Sequence, residues 1–220
     1  MVGRVSSAKG NQSGVDLDRS PSFDVLVFDL GGVVVAHDDA ALHARLISRC
    51  PLGADLARLE AVVREPRWAL GEAPIEDLHA RLRREFGYGL EWAGFAQDWR
   101  SHFTLDVSML ALLRSLGRSR RVLLFSNTNK EHWNYLVEAS EGVLANFEHY
   151  LSHEIGLLKP SVAAFAHVAE RSGVSPSRMM FFDDLPVNVA GARLAGYQAE
   201  VFRDEASLRS FLKAHGVCWK

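Results

Sequence analysis

The stretch Phe28-Asp29-Leu30-Gly31-Gly32-Val33-Val34-Val35 closes the first strongly apolar run of the chain and decides how the rest is read. Before it, Val25-Leu26-Val27-Phe28 has the β-branched and aromatic makeup of a strand buried on both faces. The paired glycines then let the backbone turn tightly, so that Asp29 stands at a strand tip. A carboxylate in that place either binds a cation or attacks an electrophile. Asp before Gly-Gly is also an ordinary turn sequence, so the reading depends on what the rest of the chain supplies.

Working outward, further core strands are expected at Asp24–Asp29 itself, Arg121–Asn127, His149–Ser152, Met179–Asp183 and Ala199–Phe202. Helical patterns at Val107–Leu116, Glu131–Ala139, Ser161–Ser172, Val187–Ala195 and Ala206–His215 alternate with them. This alternation predicts an α/β fold, a Rossmann-like parallel sheet with helices on both faces. Asp106 is a candidate helix cap, Gly173 and Gly196 candidate helix ends, and Pro160 a candidate helix start. Residues 38–104 break the pattern, with helical periodicity in Leu78, Leu82 and Phe86 and in Trp92, Phe95, Trp99 and Phe103, and no convincing strand. That length exceeds an ordinary crossover and predicts a small helical cap domain inserted after the first strand. The core is then 23–37 with 105–220.

The chain of 220 residues is 48% hydrophobic with a formal net charge of −2, enough apolar material for a large core and no basic field for nucleic acid or a membrane surface. A small-molecule partner is expected, with no nucleic acid and no membrane, and a monomer or homodimer. Cys50 and Cys218 have neither metal-site nor redox-motif spacing, which favours a reducing, cytoplasmic setting. Residues 1–22, rich in Gly, Ser and Asn, read as a disordered tail.

In an open parallel sheet, ligands bind beyond the carboxyl ends of the strands. Those positions carry Asp29, then Ser126-Asn127-Thr128-Asn129, then Lys159-Pro160, then Asp183-Asp184. Two adjacent acids after the apolar Met179-Met180-Phe181-Phe182 repel unless a cation compensates them. Taken singly, the Ser126–Asn129 run is also a turn with a cap, and Lys159 a surface lysine.

In this order the segments FDLGGV, FSNTN, LKP and FFDDLPVN resemble the haloacid dehalogenase-like hydrolase superfamily over residues 23–204, closest in wording to a bacterial branch of sugar phosphatases typified by α-D-glucose-1-phosphate phosphatase. The resemblance implies a Mg²⁺-dependent phosphatase acting on a small phosphorylated metabolite, a sugar phosphate in first place. In it Asp29 is the nucleophile that becomes an aspartyl-phosphate. Ser126 and the backbone around Asn127 hold phosphate oxygens, and Lys159 neutralises charge. Mg²⁺ is held by Asp29, the Gly31 carbonyl and Asp184, supported by Asp183 and Asn188.

One position departs from the pattern. Most phosphatases of the superfamily carry a second Asp two residues after the nucleophile, to protonate the leaving oxygen and then activate water, and here that residue is Gly31. Lost acid–base help costs about 10²–10⁴ in rate. An easily expelled leaving group such as an anomeric sugar phosphate lessens the need, and His37 or Asp38 is a candidate proton donor. The alternatives are a 2-haloacid dehalogenase using Asp29 without metal, and a catalytically weak binding protein. Dehalogenases usually replace the acidic pair, so Asp183-Asp184 counts against the first. Trp68 near Gly71-Glu72, and Trp99 with His102 and Phe103, are candidates to face the site from the cap, or else cap core.

Overall fold

All four residues of β1 (Val25–Phe28) are buried, and the strand pairs on both sides with parallel neighbours. The computed structural model describes residues 23–51 and 53–219. After β1 come β2 (Val35–His37), α1 (Asp39–Ser48), α2 (Leu56–Val63), α3 (Pro66–Ala69), α4 (Ile75–Phe86), α5 (Trp92–Arg100), β3 (Phe103–Leu105) and α6 (Val107–Leu116). The second half runs β4 (Arg121–Ser126), α7 (Lys130–Ala139), β5 (Glu148–Leu151), α8 (Ser152–Ile155), α9 (Val162–Ser172), β6 (Met179–Asp183), α10 (Pro186–Leu194), β7 (Gln198–Val201) and α11 (Glu205–Ala214).

The main sheet has five parallel strands in the order β5-β4-β1-β6-β7. Alternation along β1 splits the core. Leu26 and Phe28 pack with Met109, Leu113, Trp133, Leu136 and Leu212 of α6, α7 and α11, while Val25 and Val27 pack with Phe165, Val168, Val189 and Ala192 of α9 and α10. This is the expected α/β architecture with helices on both faces. The expected strand and helix ends agree with the observed ones to within one residue. Asp106 caps α6 through the amides of Ser108 and Met109, and Gly173 ends α9 in the left-handed conformation. Pro160 does not open α9; it stands one residue ahead of Ser161, whose side chain accepts from Ala164 N–H as the cap.

The cap is helical, as its periodicity predicts. Leu42, Leu46, Leu59, Leu78, Leu82, Phe86, Phe95 and Trp99 of α1, α2, α4 and α5 form a third apolar cluster of their own. Phe103 is the exception to the expected helical repeat. It lies in β3, which pairs antiparallel with β2 through Val35↔Leu105, Ala36↔Thr104 and His37↔Phe103. These three-residue strands are too short to show alternation, and their pairing closes the ends of the whole insertion. The ribbon carries the chain out of the sheet and back.

Cys50 is half-buried and Cys218 exposed, both free. Among the described residues no helix is long and apolar enough to cross a membrane. Residues 1–22, expected as a tail, lie outside the described residues.

Candidate active site

The sheet ends at its carboxyl edge in a cavity of about 400 Å³ whose lining includes Asp29, Gly31, His37, Asp39, His102, Phe103, Ser126, Asn127, His132, Lys159, Asp184 and Asn188. Of the residues given nucleophile, phosphate-binding, metal-binding or supporting roles from the sequence, all but Asp183 line it, so segments distant in sequence meet at one place. The polarity comes from the strand tips and the roof from the β2–β3 ribbon.

The floor is an ion cluster. Lys159, whose side chain is 1% exposed, places Nζ 2.9 Å from Oδ1 of Asp29 and 2.6 Å from Oδ2 of Asp183. Asp29 Oδ1 also accepts from the Leu30 amide at 2.7 Å. Burial pushes the Asp29 carboxyl up to about 6, against the pull of Lys159 and with a push from Asp183. Asp183 is fully buried and saturated: Oδ1 accepts from Leu185 N–H (2.9 Å) and Asn188 Nδ2 (3.0 Å), while Oδ2 takes Lys159 and Asn188 Nδ2 (3.1 Å). Its visible work is to hold Lys159 upright.

Asn127 has a different hold on the same lysine. Its Nδ2 donates to the Lys159 carbonyl and its Oδ1 accepts from the Lys159 amide, both at 2.9 Å. The side-chain amide thus fixes the backbone of the lysine loop, as a neighbouring strand would. Ser126, buried at the end of β4, faces the cavity.

Asp184 completes the acidic group. Asp29, Asp183 and Asp184 each offer an oxygen within 4.8 Å of the others. Burial and the adjacent Asp183 raise the Asp184 carboxyl above its ordinary range. With both oxygens of Asp183 committed to three donors, the carboxylates of Asp29 and Asp184 are the two that could hold a cation, beside the carbonyl of Gly31. Gly32 makes room for this: it sits at φ 70, and a Cβ there would fall 2.2 Å from Oδ2 of Asp184.

The two candidate proton donors separate. Asp38 caps α1, its Oδ1 accepting from Ala41 N–H at 2.9 Å, and is used structurally. His37 enters the cavity. Its Nδ1 lies 3.1 Å from Asp39 Oδ1. That contact, then the negative field of Asp184 and Asp29, raises the imidazole above its ordinary range, and it draws Asp39 down to about 2.

Of the aromatics considered for the cap, His102 and Phe103 line the cavity. Trp68 and Trp99 are cap core. Trp68 donates Nε1–H to the Val62 carbonyl at 2.8 Å, and Trp99 stacks on Phe95. Glu72 does not line the cavity.

His132 carried no motif and escaped sequence reading. It is tied on both sides: Nδ1 accepts from Asn129 Nδ2 at 3.0 Å and Nε2–H donates to the Trp99 carbonyl of the cap at 3.1 Å. A second tie runs from Ser152 Oγ–H to the Ala69 carbonyl at 2.6 Å. Burial holds His102 down to about 4 and His132 down to about 3.

These two histidines set a pH dependence of stability. Unfolded, both take protons below about pH 6.5; folded, they stay neutral until about pH 4 and 3, so the unfolded state binds more protons as pH falls. Their contribution to stability is therefore full above pH 6.5 and declines below it, by about 2 kcal/mol per histidine at pH 5, opposed in part by the raised Asp29 carboxyl, which takes its proton first in the folded state. Urea titrations at pH 7 and pH 5 on the wild type and on His132→Gln should show a change between the two pH values that is about 2 kcal/mol less unfavourable at pH 5 in the variant than in the wild type.

A parallel five-stranded sheet thus carries at its carboxyl edge a helical insertion and an Asp–Lys–Asp cluster beneath a cavity. Residues 23–196 match the family model described as haloacid dehalogenase-like hydrolase, and the chain belongs to that family. It is 29% identical to enolase-phosphatase E1 of Acidiphilium cryptum, over 80% of this chain and 74% of that one. It is 28% identical to a Mycobacterium tuberculosis protein named phosphatase MT3486, over 89% of this chain and 99% of that one. Among solved structures, a HAD family enzyme from Bacteroides thetaiotaomicron superposes with a TM-score of 0.77 at 22% identity, covering 86% of this chain and 98% of that one. That enzyme has also been solved in complex with magnesium and inorganic phosphate.

Proposed function

We propose that this chain is a Mg²⁺-dependent phosphatase for a small phosphorylated metabolite, a sugar phosphate in first place, acting through an aspartyl-phosphate on Asp29. One observation carries the reading: Asp29 has Oδ1 held by Lys159 and the Leu30 amide, which leaves Oδ2 as its attacking oxygen in a cavity shared with Ser126 and Asp184. A nucleophile needs that combination of fixed orientation and one uncommitted oxygen. The phosphatase names of two relatives point the same way, and a cavity of about 400 Å³ suits a small metabolite.

In this reading Asp29 attacks phosphorus in line. Ser126 Oγ–H and the backbone at Asn127 bind equatorial oxygens of the phosphoryl group, and Lys159 offsets charge that grows on them. Asp183, Asn188 and the Asn127 side chain keep Lys159 in place. Asp29, the Gly31 carbonyl and Asp184 are a hard oxygen set suited to Mg²⁺, and the Asp184 carboxyl, raised by burial and then by the adjacent Asp183, carries a burden that a cation relieves. When bound, the ion screens the phosphate from the carboxylate that attacks it.

The test is a screen of sugar 1- and 6-phosphates, nucleotides and acyl phosphates with Mg²⁺, repeated after chelation. Turnover should vanish with EDTA and return with added Mg²⁺. Activity that survives chelation, above all on a 2-haloacid, replaces this reading with dehalogenation.

A further inference from the structure

Gly31 brings no side chain to the site, yet the space beside it is filled. A Cβ built on Gly31 would lie 3.3 Å from Cδ2 and 3.4 Å from Nε2 of His37. The imidazole therefore occupies the region that a short acidic side chain at residue 31 would reach, and it does so from β2.

Its surroundings are those of a working base rather than a packed ring. One nitrogen is committed, Nδ1 to the Asp39 carboxylate at 3.1 Å, so Nε2 is the nitrogen turned toward Gly31. The side chain is 36% exposed and lines the cavity that holds Asp29, Ser126 and Lys159. A carboxylate that orients an imidazole, which in turn presents its other nitrogen to the reacting atoms, is a recurrent arrangement for moving protons. Of the other candidates nearby, Asp38 caps a helix, both His132 nitrogens are bonded, and His102 is buried in a setting that disfavours its protonated ring.

We propose that His37, oriented by Asp39, is the catalytic proton carrier of this site, taking the part that residue 31 cannot play. The proposal rests on the phosphatase reading. In the first step an Asp29 oxygen bonds to phosphorus, the bond from phosphorus to the leaving oxygen breaks, and the Nε2 proton passes to that oxygen. In the second, Nε2 takes a proton from water, the water oxygen bonds to phosphorus, and the bond from phosphorus to Asp29 breaks. Phosphate leaves, and His37 is again protonated. His37 touches the reacting atoms; Asp39 acts through it.

The experiment compares 4-nitrophenyl phosphate, whose phenolate leaves without a proton, with phenyl phosphate, which needs one, in the presence of Mg²⁺. His37→Gln should lower kcat/KM for phenyl phosphate by about 10²-fold and for 4-nitrophenyl phosphate by less than about 10-fold. With the nitrophenyl ester it should also show a burst of one equivalent of nitrophenolate, because hydrolysis of the aspartyl-phosphate is slowed. Asp39→Asn should reproduce the leaving-group dependence with a smaller loss. Equal losses on the two esters, or no loss on phenyl phosphate, overturn the proposal alone. Failure of the wild-type chain to hydrolyse these two esters and every phosphate of the metabolite screen overturns the phosphatase reading, and this proposal with it.

Discussion

Replacing Asp29 by Asn is expected to end turnover of every phosphate ester that the wild-type chain accepts, with a fall on the order of 10⁴–10⁶ in kcat. The amide has nearly the shape of the carboxylate. Its oxygen can still accept from the Leu30 amide and from Lys159, the two contacts that fix residue 29. What is lost is the charge and the second oxygen, hence the attack. Folding should not suffer, because the native carboxylate is already burdened by desolvation, enough to push its titration up to about 6. The unfolding temperature should be unchanged or higher. Intact-mass measurement on acid-quenched enzyme provides a second check: wild type should carry a phosphoryl group during turnover, and the variant none. Retained activity with an unchanged phosphoryl adduct would remove Asp29 from the role of nucleophile.

Lys159→Met is expected to damage both chemistry and fold. Its ammonium is the shared partner of Asp29 and Asp183, and without it two carboxylates face each other in a buried site. Removal of one partner from such a cluster costs about 3–5 kcal/mol. For a chain of this size that corresponds to a drop of about 10 °C in the unfolding temperature. Activity should fall at least about 10²–10³-fold from lost charge stabilisation alone. The two effects can be separated by adding Asp183→Asn, which removes the carboxylate most tightly bound to the lysine. The double variant should regain stability over Lys159→Met and regain no activity. A double-mutant cycle with additive stabilities would deny the coupling.

Much of the architecture could be read from residue types. A strand buried on both faces must be apolar throughout, so Val25–Phe28 and Met179–Phe182 announce themselves, and capping residues such as Asp106 mark where helices begin. The β2–β3 ribbon could not be read in this way. Three residues show no period, and pairing between Val35 and Leu105 is a fact of three dimensions. The site divides along the same line. Acids, a lysine and a serine just after buried strands are visible as a set, because each occupies a place where the sheet ends. Partnerships are not visible: that Asn127 grips the backbone of Lys159, or that Asp183 spends its oxygens on Lys159, Leu185 and Asn188, depends on crossings between strands. His132 is the plainest omission. Its ring bridges Asn129 and the Trp99 carbonyl, and no local spacing reports a contact with a carbonyl so far away in sequence.

The ribbon joining cap and core has a consequence for how the two parts cooperate. His37 is paired with Phe103 across it, and its partner Asp39 opens the first cap helix. The imidazole thus stands on the drawbridge, whereas Asp29 and Lys159 stand on the quay. With His37 as the proton carrier proposed above, a swing of the insertion that admitted a substrate would also withdraw Nε2 from the leaving oxygen, and its return would restore both at once. An acid at residue 31 would stay with the core throughout, whereas His37 on β2 would be in place only with the insertion closed. Grafting a foreign insertion at β2 and β3 would then change the supply of protons together with the choice of substrate, so the two properties are inherited as a pair.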